Sequence, residues 1–194
     1  YVRAELVTDL SYFSLLKPLS DVVIFHLLGD HLDAVGRTHS CNIRKPWCEE
    51  CAKCAYVWIS CLAYLPPEVV LPLFRSNLLD NPANEVWFRQ MLGLEDYTPF
   101  ECVGQADEAR LAFELARCRG VTGRAMTIFE REVPPIDVDE IIARRCGVDP
   151  AHSAMPHKIA ERVMPLLLNA GQRAHDRLLH QALTHRADHA MLAV

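Results

Sequence analysis

Four cysteines within fourteen residues, Cys41, Cys48, Cys51 and Cys54, constrain this chain more than any other feature. Thiolates two residues apart can turn back onto one ion, each sulfur at about 2.3 Å. Four of them complete a tetrahedron and leave no open position for water, so such a site is structural rather than catalytic. Binding contributes on the order of 10 kcal/mol to local folding, because the unfolded chain does not preassemble the ligands. Arg44, Lys45 and Lys53 offset the negative charge, and Pro46-Trp47 stiffens the turn after the first ligand. Free cysteines or two disulfides are the plain alternative, and two consecutive two-residue spacings argue against it. An iron–sulfur cluster also uses closely spaced thiolates. His39 is a substitute ligand, with Cys41 the simpler choice.

The chain has eight cysteines, and Cys61, Cys102, Cys118 and Cys146 stand alone. Clustered ligands plus isolated thiols are reduced, cytoplasmic usage. Hydrophobic residues at 51% and charged residues at 23% describe a globular protein. No apolar run approaches the ~20 residues of a membrane span, and Tyr1-Val2-Arg3-Ala4-Glu5 does not open a signal peptide. A net charge of −5 with no basic tract argues against gripping a phosphate backbone. With no initiator Met, the chain is expected to be part of a longer one.

The pattern is mainly helical. Ser20 or Asp21 caps a helix whose Ile24, Leu27, Leu28 and Leu32 share a face; a strand over Val22-Val23-Ile24-Phe25 is the weaker option. A buried helix runs from near Glu49 to Leu65, where Pro66-Pro67 stops it. Val69, Val70, Leu73 and Phe74 suggest a short helix, and Asn81-Pro82 opens another that closes at Gly93. After a loop over residues 94–104, Ala106 to Arg119 is a helix with acids first, bases last and Gly120 following. Asp137 to Glu140 has capping-box spacing for a helix ending at Cys146-Gly147. Pro156 opens a further helix that Pro165 kinks or restarts, and Gln172 to about Met191 forms the last. His185 and His189 there have the i,i+4 spacing of metal ligands, but without a third ligand a solvated face is the better account.

Residues 14–64 follow a recognisable order. Leu16-Lys17-Pro18-Leu19 precedes a helix through Leu27-Leu28-Gly29, then come Arg37-Thr38-His39-Ser40-Cys41 and the three close cysteines. This resembles the zinc-bearing end of the 7-cyano-7-deazaguanine synthases, in the adenine nucleotide α-hydrolase-like group. That family places a small polar residue or Asp between its ligands and an Arg after the last. Here Glu49-Glu50, Ala52-Lys53 and Ala55-Tyr56-Val57-Trp58 stand instead. With Asn42 to Trp47 and Thr98-Pro99-Phe100-Glu101-Cys102-Val103-Gly104-Gln105, the chain is more similar to the UDP-N-acetylmuramoyl-L-alanyl-L-glutamate epimerases, over about residues 12–130.

The resemblance implies a cytoplasmic isomerase of peptidoglycan precursor synthesis in the cell-wall pathway. Its substrate is the UDP-linked muramoyl dipeptide, its cofactors are ATP, magnesium and structural zinc, and it has no membrane or nucleic-acid partner. The fold it implies is a mainly α-helical segment forming the zinc-bearing C-terminal portion of an α/β enzyme. Residues 1–65 are then the end of the nucleotide-hydrolase-like domain with the four-cysteine site, and residues 66–194 a helical C-terminal region. No Gly-rich phosphate loop is present, so the chain alone is expected to be inactive.

Within that frame Cys102 is the first candidate base or proton donor, just before a helix N-terminus that would lower its pKa, with Glu101 adjacent. Glu101 and Glu108 are alternative bases. Arg37, Lys45, Arg89 and Arg110 are candidates for holding diphosphate or carboxylate, and His39 for contacting ATP. Gln105, with Gly104, is a candidate for presenting N–H groups to an anion. Each also has a bland reading as a packed thiol, cap, turn or surface charge. Two rivals remain: another enzyme of the same group, such as a deazapurine synthase or tRNA-modifying ligase, and a non-enzymatic zinc knuckle using Lys45, Trp47, Lys53, Tyr56 and Trp58.

Overall fold

Almost every side chain on helix α3, Ala52–Tyr64, is apolar and most are buried, so this helix lies within the core. The computed structural model describes residues 12–99 and 103–192, without the side chains of residue 152 and of residues 185–192. Before α3 come α1, Asp21–Gly29, and α2, Leu32–Val35. After it come α4, Pro67–Val70, α5, Glu85–Met91, α6, Ala106–Cys118, α7, Arg124–Glu132, α8, Val138–Cys146, and α9, His157–Leu192. Among the described residues there is no strand.

Ala55, Ile59, Cys61 and Ala63 of α3 are buried, and Leu65 at its C-cap is fully buried. The helix begins at Ala52 rather than near Glu49, because Cys51 takes the N-cap position with extended backbone. Helix α6 lays its apolar stripe, Leu111, Ala112, Phe113, Leu115 and Ala116, into the same core. Phe113 then joins three helices. It meets Phe88 of α5 edge-on at 5.7 Å and stacks on Phe129 of α7 at 5.3 Å. Such pairs add roughly 0.5–1.5 kcal/mol each beyond burial.

The structure departs from the sequence reading at three further points. The first concerns α1, which buries Val22, Val23 and His26, while Ile24, Leu27 and Leu28 are only partly covered and Leu32 is exposed in α2. Most of α1 is apolar, so tertiary contacts rather than periodicity select its inner face. Helix α7 has no counterpart in the sequence pattern. Gly123 precedes it with φ of 149°, and a Cβ there would stand 2.7 Å from Leu79 Cβ. Only glycine lets the chain pass so close while adopting that φ. Finally, the helix expected after Pro156 and the last one expected from Gln172 are a single helix, α9, which runs through Pro165 without restarting. Pro165 and Glu161 both lie on the exposed side, so the carbonyl left without its N–H partner is open to water. Leu167, Ala170, Ala174 and Leu178 of α9 face the core, and Arg173 pairs with Asp30 at 2.9 Å.

Candidate metal centre

The Sγ atoms of Cys41, Cys48, Cys51 and Cys54 all lie within 4.8 Å of one another. Cys41 and Cys51 sulfurs are 4.0 Å apart, and those of Cys48 and Cys54 3.8 Å. A disulfide needs about 2.05 Å, so these are not cystines. A tetrahedron of bonds near 2.3 Å has an edge of about 3.8 Å, which the observed spacing matches. In a four-iron cluster each thiolate sits outside a different iron, which spreads the sulfurs further apart. The donor set therefore fits a single tetrahedral ion, and zinc is the hypothesis that the all-thiolate chemistry favours.

Local backbone aims the sulfurs. Backbone N–H groups of Arg44, Glu50 and Cys54 donate to the sulfurs of Cys41, Cys48 and Cys51 at 3.4, 3.5 and 3.5 Å. The Cys54 donor lies in the first turn of α3, so the helix start itself holds the loop. Burial pushes the Cys51 thiol up to about 11, and burial together with the Cys51 sulfur pushes Cys54 further up. Cys41 is drawn down to about 6: burial opposes ionisation, but the N–H groups of Arg44 and Ile43 outweigh it. Without a cation the four sulfurs would not all ionise, and a divalent ion removes that obstacle.

Glu49, between two of the cysteines, ties the loop to the rest of the fold. Its φ is +68° and it is buried. Its carboxylate accepts from Arg75 N at 3.2 Å, Arg75 Nε at 3.0 Å and the Ser76 hydroxyl at 3.4 Å, and its carbonyl accepts from Asn84 Nδ2 at 2.9 Å. Trp87 Nε1 donates to the Glu50 carbonyl at 2.9 Å. Trp47 stacks on Phe74 at 5.0 Å, and Trp58 meets the same ring edge-on. Sequence reading missed Glu49 because its partners are 26 to 35 residues away.

The other candidates fall into two groups. Arg37, His39 and Lys45 are exposed on the segment around Cys41. Gln105 is the exposed N-cap of α6, and Arg110 donates from Nε and Nη2 to the Leu92 carbonyl at 2.9 and 2.7 Å. Among the described residues no hydrogen bond or ion pair joins the two groups. Arg89 is held by Glu95 at 2.7 Å and Glu132 at 2.9 Å. Cys102 and Glu101 lie outside the described residues, as do the side chains of His185 and His189.

A buried polar cluster does lie beside the segment that follows Cys102. Tyr56 donates to Asp21 Oδ2 at 2.9 Å, and Glu108 accepts from the backbone N–H groups of Asp21 at 3.1 Å and Gln105 at 2.8 Å. A Cβ on Gly104 would stand 2.1 Å from the Tyr56 hydroxyl, so the loop packs directly on that ring. Burial pushes the Glu108 carboxyl above the usual range, and the Asp21 charge adds to it. Both Glu108 oxygens are nonetheless engaged by α-helix N-termini, the work of a cap. Burial pushes Cys61 and Cys146 up to about 12, which marks them as inert packing thiols.

The fold and site define a helical protein whose four cysteine sulfurs converge to fit one tetrahedral ion. The match to known families is more specific: the chain belongs to the MurL C-terminal domain family, which matches residues 36–133, just over half of it. A UDP-N-acetyl-alpha-D-muramoyl-L-alanyl-L-glutamate epimerase of Xanthomonas oryzae pv. oryzae is 26% identical over 175 residues, 84% of this chain and 39% of that protein. Epimerases of the same name from Salinispora tropica and a Micromonospora species are 35% and 34% identical, over 54% of this chain and 24% and 25% of theirs. The chain thus spans about two fifths of the first relative's length and about a quarter of the other two. No solved structure matches. No helix among the described residues is long and apolar enough to cross a membrane.

Proposed function

We propose that this chain is the zinc-bearing C-terminal part of an ATP-dependent epimerase that inverts the terminal L-glutamate of UDP-N-acetylmuramoyl-L-alanyl-L-glutamate in the cytoplasm, for peptidoglycan synthesis. The observation that carries the reading is the family match over residues 36–133. It takes in the whole four-cysteine loop and the Thr98–Gln105 segment. In this reading residues 1–65 end a nucleotide-hydrolase-like α/β domain, and residues 66–194 form the helical region packed on it. The ATP-cleaving part, with its magnesium, belongs to the remainder of the full-length enzyme.

The chemistry follows from the acidity of the α-carbon. The α-proton of glutamate is hard to remove because the adjacent carboxylate resists further negative charge. Transfer of AMP from ATP to that carboxylate releases diphosphate and neutralises it. Cys102 or Glu101 then takes the α-proton, and a proton returned to the opposite face inverts the centre. Hydrolysis of the adenylate releases AMP and makes the cycle irreversible. Arg37, His39, Lys45, Gln105 and Arg110 serve the anionic groups of ATP and substrate; Arg110 retains three of its five N–H donors after those given to Leu92. Cys41, Cys48, Cys51 and Cys54 would hold the zinc, which would neutralise their thiolates and brace the loop rather than serve proton transfer.

The test is ATP-dependent formation of D-glutamate in the dipeptide by full-length protein; its absence overturns the reading. Within it, Cys102→Ala is expected to form the adenylate still but to lose exchange of the α-proton with deuterated solvent. Unchanged exchange removes Cys102 from the mechanism.

A further inference from the structure

Beside the metal loop, between the C-terminal end of α3 and the turn over residues 67–77, lies a cleft of about 440 Å³. That is within the ~300–1,000 Å³ of small-molecule sites. Its accessible apolar wall is Pro67, Leu71 and Val121, while Trp58, Leu62 and Phe74 are buried, and two guanidinium groups, Arg75 and Arg119, line it. Arg119 Nη1 donates to the carbonyls of Leu62 and Ala63, and Nη2 to that of Leu65. Three of its five N–H groups are used, so Nε–H and one Nη2–H remain.

Its charge has no carboxylate partner at ion-pair distance among the described residues. Burial weakens its hold on the proton, and the exposed Glu68 carboxylate acts the other way. The carbonyl end of α3 compensates part of that charge, and a half-buried cation gains further from an oxyanion. Arg75 commits Nε to Glu49, and its side chain is otherwise 71% exposed. Asn77 is already saturated: its oxygen accepts from Trp58 Nε1 and Leu79 N, and its amide donates to Asp80 and the Thr122 carbonyl. The unspent polar capacity of the cleft is therefore mostly cationic.

We propose that this cleft binds a nucleoside diphosphate, with the base against the aliphatic wall of Pro67, Leu71 and Val121 and the phosphates on Arg75 and Arg119. Guanidinium forks suit phosphate oxygens bidentately, and two forks on one cleft suit two phosphates. The four-cysteine loop shapes the wall, since Trp47 backs Phe74 and Glu49 holds Arg75 and Ser76. The proposal rests on the epimerase reading only for its first probe, uridine diphosphate.

The experiment is calorimetric titration of the metal-loaded chain with UDP, ADP and uridine. Arg119→Ala would also uncap α3, so the variants are Arg75→Ala and Thr122→Trp, the second filling the cleft from its exposed rim. UDP is expected to bind, each variant weakening it about tenfold or more while melting within about 4 °C of the parent. Tighter UDP than ADP identifies a uridine-selective site; equal affinity identifies one that reads ring and phosphates alone. Either supports the proposal. It is overturned if neither nucleotide binds at millimolar concentration, if uridine binds as well as UDP, or if Thr122→Trp binds UDP unchanged. Full-length enzyme assayed alongside separates the readings: epimerisation without nucleotide in the cleft sinks the cleft alone, and binding without epimerisation sinks the epimerase alone.

Discussion

Replacing Glu49 by alanine and by glycine separates two effects that meet at one residue. The side chain is an acceptor for Arg75 N, Arg75 Nε and the Ser76 hydroxyl. Removing it leaves a partly buried backbone N–H without its charged acceptor, a loss of about 1.5–3 kcal/mol. The ion pair with Arg75 adds under about 1 kcal/mol, because that guanidinium faces water. Glu49→Ala should therefore destabilise by about 2–3 kcal/mol, lowering the melting temperature by roughly 5–10 °C in a chain of this size. The backbone acts separately. At φ of +68° any residue with a Cβ is strained by about 1–2 kcal/mol, which glycine escapes. Glu49→Gly should thus recover about 1 kcal/mol of the alanine loss, although glycine is ordinarily the worse residue. Urea unfolding followed by tryptophan emission measures both, since Trp47 and Trp87 lie on or against the loop. An alanine variant as stable as the parent, or a glycine variant below alanine, would refute the assignment of strain and anchor to this residue.

Two further outcomes can be checked on the same protein. Chelation under reducing conditions should release about one zinc per chain and red-shift tryptophan emission, because Trp47, Trp58 and Trp87 all bear on the loop or on Phe74 beside it; an unshifted spectrum would contradict this. His26 is buried with Nε2 unpartnered, and burial, then the Arg177 and Arg173 charges, depress its pKa against the pull of Asp30. The unfolded chain takes up that proton first, near pH ~6.5, so stability should fall as pH drops below that value until the lower folded pKa is passed. His26→Leu should flatten this acid limb of the urea midpoint between about pH 5 and 7, and an unaltered limb would assign it to other groups.

What the sequence makes legible here follows from distance along the chain. The four thiols are readable because their convergence is a local property of a fourteen-residue turn, and α6 because its acids, bases and closing Gly120 are consecutive signals of one helix. Helix α7 escapes because Gly123 offers no capping side chain and its inner residues, Ala125, Met126 and Phe129, are spread among charges. The inner face of α1 escapes for the opposite reason: its apolar residues are too many for any period to choose among them. The polar cluster of Asp21, Tyr56 and Glu108 joins residues 35 and 87 positions apart, and no local pattern encodes such a meeting. Arg119 makes the same point from the side of function. In sequence it is the base at the end of α6, where it complements its own helix dipole. In the fold its guanidinium is spent on the carbonyls of α3 instead, 54 to 57 residues away, and its remaining donors line a cleft that no motif announces. A charge read correctly as a local signal thus acquires its chemical meaning only from the helix it crosses to reach.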